Sequence, residues 1–277
     1  MFNICDAHND LLNVAKNENK FRELFYKQVS EQVQKIFCAY FSYNNDRGIS
    51  AENMAKLFQF AKKIDNRVVP TVENCWFVNP KNIDIFVQAK PFCATLTHNL
   101  DNSLCGGAME YGNLSDWGKR VIQLFNDNQI VIDTAHMNRQ SFWHFIDMTY
   151  KPIFNSHCGF EDIFSHKRNL TTEQIDVIVQ SGGYIGMALY PKFFTNNIWT
   201  VENIVDTVLW FWDKFGTNTL GWGTDFNGIE ISPENVSGYK DMQIIANQLK
   251  NKGAKKLDIE KLFSKNLLNF IKKANCN

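Results

Sequence analysis

The run Gln129-Ile130-Val131-Ile132-Asp133-Thr134-Ala135-His136, followed after a helical pattern at 140–149 by Ile153-Phe154-Asn155-Ser156-His157, decides how the chain folds. Both runs are short, rich in apolar and β-branched residues, and end on a histidine. An amphipathic stretch joins them, so the segment reads as strand, helix, strand. Strands joined by a helical crossover lie parallel. Outward in both directions the rhythm repeats. Strand patterns fall at 3–8, 35–41, 68–73, 92–98, 129–136, 153–157, 184–188 and 220–225. Helical patterns fall between them at 50–65, 81–89, 114–127, 140–149, 172–181, 201–215, 239–251 and 258–274, with an earlier one at about 13–33. Start signals support several helices: Ser115 or Asn113 before one, a capping box at Thr171 to Gln174, and Asp258 before Ile259. Eight strand-then-helix units predict an α/β fold, a single (β/α)8 TIM barrel occupying residues 1–277 as one domain. An open doubly wound sheet is the alternative, and the absence of a G-x-G-x-x-G after the first strand counts against its dinucleotide-binding form.

Composition narrows the function classes. Of 277 residues, 44% are apolar, 21% charged and 14% aromatic, which is a globular profile with ample core. Lys plus Arg equals Asp plus Glu at 29 each, and a chain without basic excess is not built to neutralise a nucleic-acid backbone. The N-terminus, Met1 to Asp6, lacks a basic and then apolar leader pattern, and no uncharged run reaches the ~18 residues of a membrane span. Seven cysteines, at 5, 38, 75, 93, 105, 158 and 276, form no CxxC pair and read as free thiols of a reducing compartment. The expectation is a cytoplasmic protein with a small-molecule ligand and neither nucleic acid nor membrane as partner. Oligomeric state is not encoded legibly, and a homodimer is compatible with everything above.

The chemistry sits at the strand ends. His8 and Asp10, Glu73, His98, His136, His157 and Asp225 lie at or just past the C-terminal ends of predicted strands, and a barrel brings these ends to one face. A lone histidine there is more often a hydrogen-bonded structural residue than a ligand. Four of the six histidines ending strands, with three carboxylates beside them, is another matter. Burying so many ionisable groups without a cation is costly, and imidazole with carboxylate suits Zn²⁺ or a similar divalent ion. Cys75 and Cys158 read as packing residues, and His144, inside a helical pattern, as structural or superficial. Asp6 reads equally as an orienting partner of a ligand and as a core hydrogen-bonding residue. Ser165-His166-Lys167-Arg168-Asn169 reads either as a solvated loop or as an arginine fork aimed at a carboxylate.

Taken in order, these residues resemble the membrane dipeptidase (renal dipeptidase, M19 peptidase) family of metal-dependent amidohydrolases, over nearly the whole chain. Asp6-Ala7-His8-Asn9-Asp10 is similar to its D-G-H-N-D, and Leu96-Thr97-His98-Asn99 to its L-T-H-N. Gly112-Asn113-Leu114-Ser115-Asp116-Trp117-Gly118 resembles G-L-S-D-F-G with one extra residue. Asp133-Thr134-Ala135-His136 resembles D-L-S-H, Ser156-His157 its S-H, and His166-Lys167-Arg168-Asn169 its H-P-R-N. Gly223-Thr224-Asp225-Phe226-Asn227-Gly228 resembles G-x-D-F-D-G, and Asn266-Leu267-Leu268 its N-L-L. Singly these are weak; together and in order they are specific.

The resemblance implies a zinc-dependent dipeptidase with two Zn²⁺ per chain. His8, Asp10 and Glu73 would hold one ion, and Glu73 would bridge to a second completed by His136 and His157. A hydroxide between the ions would attack the peptide carbonyl of a dipeptide. Asp225 would move the proton, His98 would steady the oxyanion of the bound substrate, and Arg168 would pair with the free C-terminal carboxylate, with Tyr190 a further pocket residue. Asn74-Cys75 stand where the family has a glycine pair, and Asn227 where it has an aspartate. The alternatives are a related amidohydrolase acting on another amide or a lactone, and a non-catalytic barrel that binds a metal or small molecule. A binding protein has no use for Asp225 and His98 beside a full ligand set.

Overall fold

The structure is a computed structural model that describes residues 1–15, 17–46 and 50–276. Eight parallel strands close in sequence order: β1 (Ile4–Asn9), β2 (Val33–Phe41), β3 (Val68–Glu73), β4 (Cys93–Thr95), β5 (Val131–Asp133), β6 (Phe154–Cys158), β7 (Tyr184–Met187) and β8 (Leu220–Trp222). Helices α1 (Leu11–Ala15) and α2 (Glu18–Gln28) follow β1, and α3 (Ala51–Ile64) follows β2. Then come α4 (Ile83–Ala89), α5 (Asp116–Asp127), α6 (Arg139–Ile146), α7 (Thr172–Gln180) and α8 (Val201–Phe215), one per strand. After β8 the chain forms α9 (Met242–Asn251), α10 (Lys256–Glu260), a π-helical turn at Lys261–Lys265 and α11 (Asn266–Cys276). The predicted barrel is therefore present, with each strand where the sequence pattern puts one.

The differences have physical causes. The stretch read as one early helix is two, because Asn17 turns extended and caps α2 by accepting from the Lys20 N–H at 3.0 Å; Lys16, between them, lies outside the described residues. The helical run expected from 258 starts at Lys256, with α10, and Asp258 does not cap it, its carboxylate instead accepting from the Thr217 hydroxyl at 3.0 Å. Ser115 caps α5, and Thr171 with Gln174 forms the reciprocal capping box expected from the sequence. Strands β4, β5 and β8 are only three residues long, shorter than their apolar runs, because the chain leaves the ladder before its histidine or aspartate. His136 (φ 66°) and Asp225 (φ 63°) adopt left-handed backbone, which no strand accommodates.

Closure is local and polar as well as apolar. The β1–β8 ladder holds a single partnered pair, Asp6 with Trp222. Asp6, fully buried, reinforces it by accepting from the Thr224 N–H (2.8 Å), the Thr224 hydroxyl (2.6 Å) and the Tyr239 hydroxyl. Inside the barrel, Phe37 of β2 and Phe154 of β6 meet with ring centroids 6.0 Å apart, a contact that non-neighbouring strands make only across the interior. Phe270 of α11 stacks on Phe154 at 4.9 Å and stoppers that end. The six cysteines whose side chains are described are buried and unpaired; the side chain of Cys276 lies outside the described residues. No helix among the described residues is long and apolar enough to cross a membrane.

Candidate metal centre

Seven of the residues singled out at strand ends meet at the C-terminal mouth of the barrel. His8 lies within β1 and Asp10 directly after it, Glu73 is the last residue of β3, and His157 lies within β6. His98, His136 and Asp225 each stand three residues past the end of their strand, β4, β5 and β8. The left-handed turns at His136 and Asp225 fold their side chains back over the mouth. Gly228 is needed here for room, since a Cβ would collide with Oδ2 of Asp10 and Oδ1 of Asp225.

Glu73 is the hub. Its Oε1 lies 2.7 Å from Nε2 of His136 and 3.7 Å from Nε2 of His157, while its Oε2 faces Nε2 of His8 at 3.7 Å. Nε2 of His8 is also 3.4 Å from Oδ2 of Asp10 and 3.7 Å from Oδ1 of Asp225. Ring stacking continues the cluster, His8 to His157 at 3.9 Å and His98 to His136 at 4.2 Å. Three triplets have ligand atoms mutually within 4.8 Å: His8, Asp10, Glu73; His8, His157, Asp225; and Glu73, His98, His136.

The donor set fits a divalent cation. Nε2 of His8 and Oδ1 of Asp10 are buried without a hydrogen-bond partner, an expensive state that a coordinated ion relieves. His136 holds Nδ1 3.0 Å from the side-chain oxygen Oδ1 of Asn99, so Nδ1 carries the proton and Nε2 offers its lone pair towards Glu73.

Crowding moves Glu73, Asp225 and the four histidines from their ordinary ranges. Burial pushes Glu73 up to about 8 and Asp225 up to about 7, against the pull of His8. Burial opposes charge on His8, but Glu73, Asp10 and Asp225 outweigh it and raise the ring to about 10. Burial, aided by Arg168 and His8, takes His98 down to about 3. Burial and the surrounding cations likewise push His136 and His157 well below the ordinary histidine range.

These groups line a cavity of about 470 Å³. Arg168 is buried in its wall at 6% exposure, and its guanidinium donates to the His157 carbonyl at 3.4 Å and lies over the Phe193 ring. The loop of Ser165 to Asn169 is therefore not simply solvated: its arginine points inward, while Lys167 stays outside on the Met109 carbonyl. Tyr190 also lines the cavity, but its hydroxyl donates to Glu230 at 2.8 Å, and Glu230 is paired with Lys192. Cys75 and Cys158 pack in the apolar core, and His144, on α6, is half-buried and absent from the cavity wall. Asp6 joins its two readings, since the carboxylate that locks the barrel shut also accepts the His8 N–H at 3.3 Å. Asn74 takes left-handed backbone (φ 71°) and donates its amide to the Ser42 carbonyl, so a short polar side chain does there what a glycine would.

Other wall residues escaped the sequence reading. Asn99 sits directly beside His98, and adjacency was the available signal. Phe41 ends its predicted strand opposite Glu73 in the β2–β3 register, and its ring lies 4.8 Å from His98. Nothing in the sequence marked Tyr43, Lys192 or Glu230, which reach the mouth from loops.

Comparison with known proteins agrees with the barrel fold. The sequence profile of a family described as membrane dipeptidase (peptidase family M19) matches residues 27–277. The chain is 29% identical over 192 residues to an uncharacterized dipeptidase of Schizosaccharomyces pombe, covering 65% of this chain and 45% of that protein. It is 27% identical over 189 residues to a dipeptidase of Claviceps purpurea, covering 64% and 43%. The matched region thus spans less than half the length of these curated relatives. Among solved structures, a metallo peptidase from Rhodobacter sphaeroides, liganded with a phosphinate mimic of the dipeptide L-Ala-D-Ala, superposes with a TM-score of 0.85 at 15% identity over 99% of both chains. An amidohydrolase from Pseudomonas aeruginosa superposes with a TM-score of 0.79 at 15% identity, over 100% of this chain and 97% of that one.

Proposed function

The chain belongs to the membrane dipeptidase family (peptidase family M19), and from that premise we propose that it is a dinuclear zinc dipeptidase that cleaves short peptides bearing a free C-terminal carboxylate. The observation that carries the proposal is Glu73, with one carboxylate oxygen towards His8 and the other towards His136 and His157. One carboxylate between two sets of nitrogen donors is the arrangement that two cations share. His8 and Asp10 would hold one ion, His136 and His157 the other, with Glu73 common to both. Bound there, the pair would supply a nucleophile at neutral pH and polarise the scissile carbonyl.

The chain's own residues do the rest. Asp225, poised near neutrality by burial, takes a proton on its carboxylate and delivers it to the leaving amine. His98 remains neutral at working pH, and its ring N–H stabilises negative charge developing on the carbonyl oxygen. Arg168, held rigidly against Phe193, pairs its planar fork with the substrate carboxylate. Tyr190 and Lys192, tied together through Glu230, border that end of the cavity.

The test is a hydrolysis screen of zinc-loaded protein against dipeptides of both stereochemistries, together with N-acyl amino acids and lactones. Turnover of dipeptides that is blocked by a phosphinate dipeptide mimic supports the proposal. Turnover confined to the lactones or other amides overturns the peptide assignment, and no turnover with any of them, at full metal loading, points to a binding barrel.

A further inference from the structure

We propose that Asp133 and Ser156 form a positioning pair that fixes the tautomer of His157 and the aim of His136, and thereby sets the affinity of one metal position only. The metal half of this inference rests on the two-ion reading above; the tautomer half does not. Asp133 is the last residue of β5 and is 2% exposed. Its Oδ1 accepts from the Ala135 N–H at 3.0 Å and from the Ser156 N–H at 2.9 Å. One buried carboxylate therefore grips both the peptide that leads into His136 and the residue that precedes His157. It acts where the sheet is thin, since the β5–β6 ladder, like β1–β8, is reduced to a single pair, Asp133 with Phe154.

The side chain of Ser156 extends the grip. Its Oγ lies 2.8 Å from Nδ1 of His157, and its hydroxyl favours the charged form of the neighbouring Asp133 carboxyl. A proton count assigns the direction of each bond. A carboxylate that already receives two backbone N–H groups acts as an acceptor, so the one Ser156 hydroxyl proton goes to it. The contact between Oγ and Nδ1 then needs its hydrogen from the imidazole. His157 carries it on Nδ1, and Nε2 is left with a lone pair. The same logic places the proton of His136 on Nδ1, against Asn99. Yet the two Nε2 atoms face each other at 2.9 Å. Two lone pairs at that separation repel, and a cation bound by both reconciles them. Were Ser156 to donate to His157 instead, Nε2 would bear a hydrogen pointing into the site and could not ligate.

The anchoring is one-sided. On the other half of the centre the equivalent task falls to Asp6, which accepts the His8 N–H and holds the chain leading to Asp225 through Thr224. Disturbing Asp133 or Ser156 should therefore weaken the ion of His136 and His157 and spare that of His8 and Asp10.

The experiment uses the full chain stripped of metal, as wild type, Ser156→Ala and Asp133→Asn. Nitrogen-15 NMR of labelled histidine reads the tautomer of His157 without metal, and zinc titration against a chelating competitor reads each equivalent. Expected are an Nδ1–H tautomer in the wild type and a mixed or Nε2–H population in Ser156→Ala. In the titration, the first equivalent is unchanged and the second is weakened about 10–100-fold. An unaltered tautomer and two wild-type affinities in Ser156→Ala would overturn the proposal, as would a lowered metal-free melting temperature with unchanged second-ion affinity, the mark of packing alone. If Asp133→Asn does not fold, Ser156→Ala decides. A wild type that takes up fewer than two equivalents fails the two-ion reading instead, and the tautomer measurement still judges the positioning pair.

Discussion

Oδ1 of Asp225 stands 3.7 Å from Nε2 of His8, a buried ring nitrogen with no hydrogen-bonding protein partner. The aspartate thus borders the ligand set without being needed to complete it, since Asp10 and Glu73 also face that nitrogen. Asp225→Asn keeps the shape and removes the proposed proton carrier. It should bind near-normal zinc while turnover falls about 10²–10⁴-fold. Elemental analysis beside steady-state kinetics checks this, and near-normal turnover would remove Asp225 from the chemistry.

Glu73 is different, because both halves of the centre lean on it. Glu73→Ala should lose most of both ions, not one of them. Zinc content after reconstitution and dialysis is the measurement; one retained equivalent would mean that the halves are independent.

Proton release should accompany metal uptake. Without metal, His8 is held up at about 10 and Glu73 at about 8, so both carry protons at pH 7. His136 and His157, pushed down, carry none. An ion must displace the first two protons, so zinc binding at neutral pH should release them and tighten as pH rises through about 8 and on to about 10. Calorimetry in buffers of different ionisation enthalpy counts the protons. An enthalpy independent of buffer would contradict the expectation.

Arg168 should read the end of the substrate. A dipeptide should be cleaved about 10–100-fold more efficiently than its C-terminal amide, the equivalent of a lost charge-assisted hydrogen bond. Arg168→Ala should erase that preference with zinc content intact, and Arg168→Lys should restore it only in part, because an ammonium lacks the planar fork. Equal rates for acid and amide in the wild type would leave Arg168 without this task.

Asp6→Asn should cost about 1–3 kcal/mol of stability, because an amide cannot accept from all of Thr224, Tyr239 and His8 at once. Denaturant unfolding of the metal-free protein measures it. Wild-type stability would show that barrel closure does not depend on this carboxylate.

The barrel was legible because parallel strands need crossovers and the period changes at each boundary, as at 129–157. The mouth was legible in residue identity but not in geometry. His98, His136 and Asp225 looked like the last residues of strands, whereas they sit on turns three residues further on. A hydrophobicity pattern reports burial, and His136 is as buried as strand residues while His98 and Asp225 are partly buried, so the pattern does not mark the ladder end. Only the positive φ at His136 and Asp225 shows it. Residues that approach from long loops, such as Glu230 beside Tyr190, carry no periodic signature, and their partnership spans 40 positions.

The bonds from Asp6 to Thr224 and Tyr239 join positions 218 and 233 apart. During translation the N-terminal half of the candidate metal centre is made first, and its aspartate waits for partners that leave the ribosome more than two hundred residues later. Until then β1 is an open sheet edge, with Asp10 and the His8 ring exposed to whatever cation or neighbouring strand diffuses past. A chain stalled before β8 would hold most of the ligand types in an unfinished cup, able to scavenge metal but not to keep it in place.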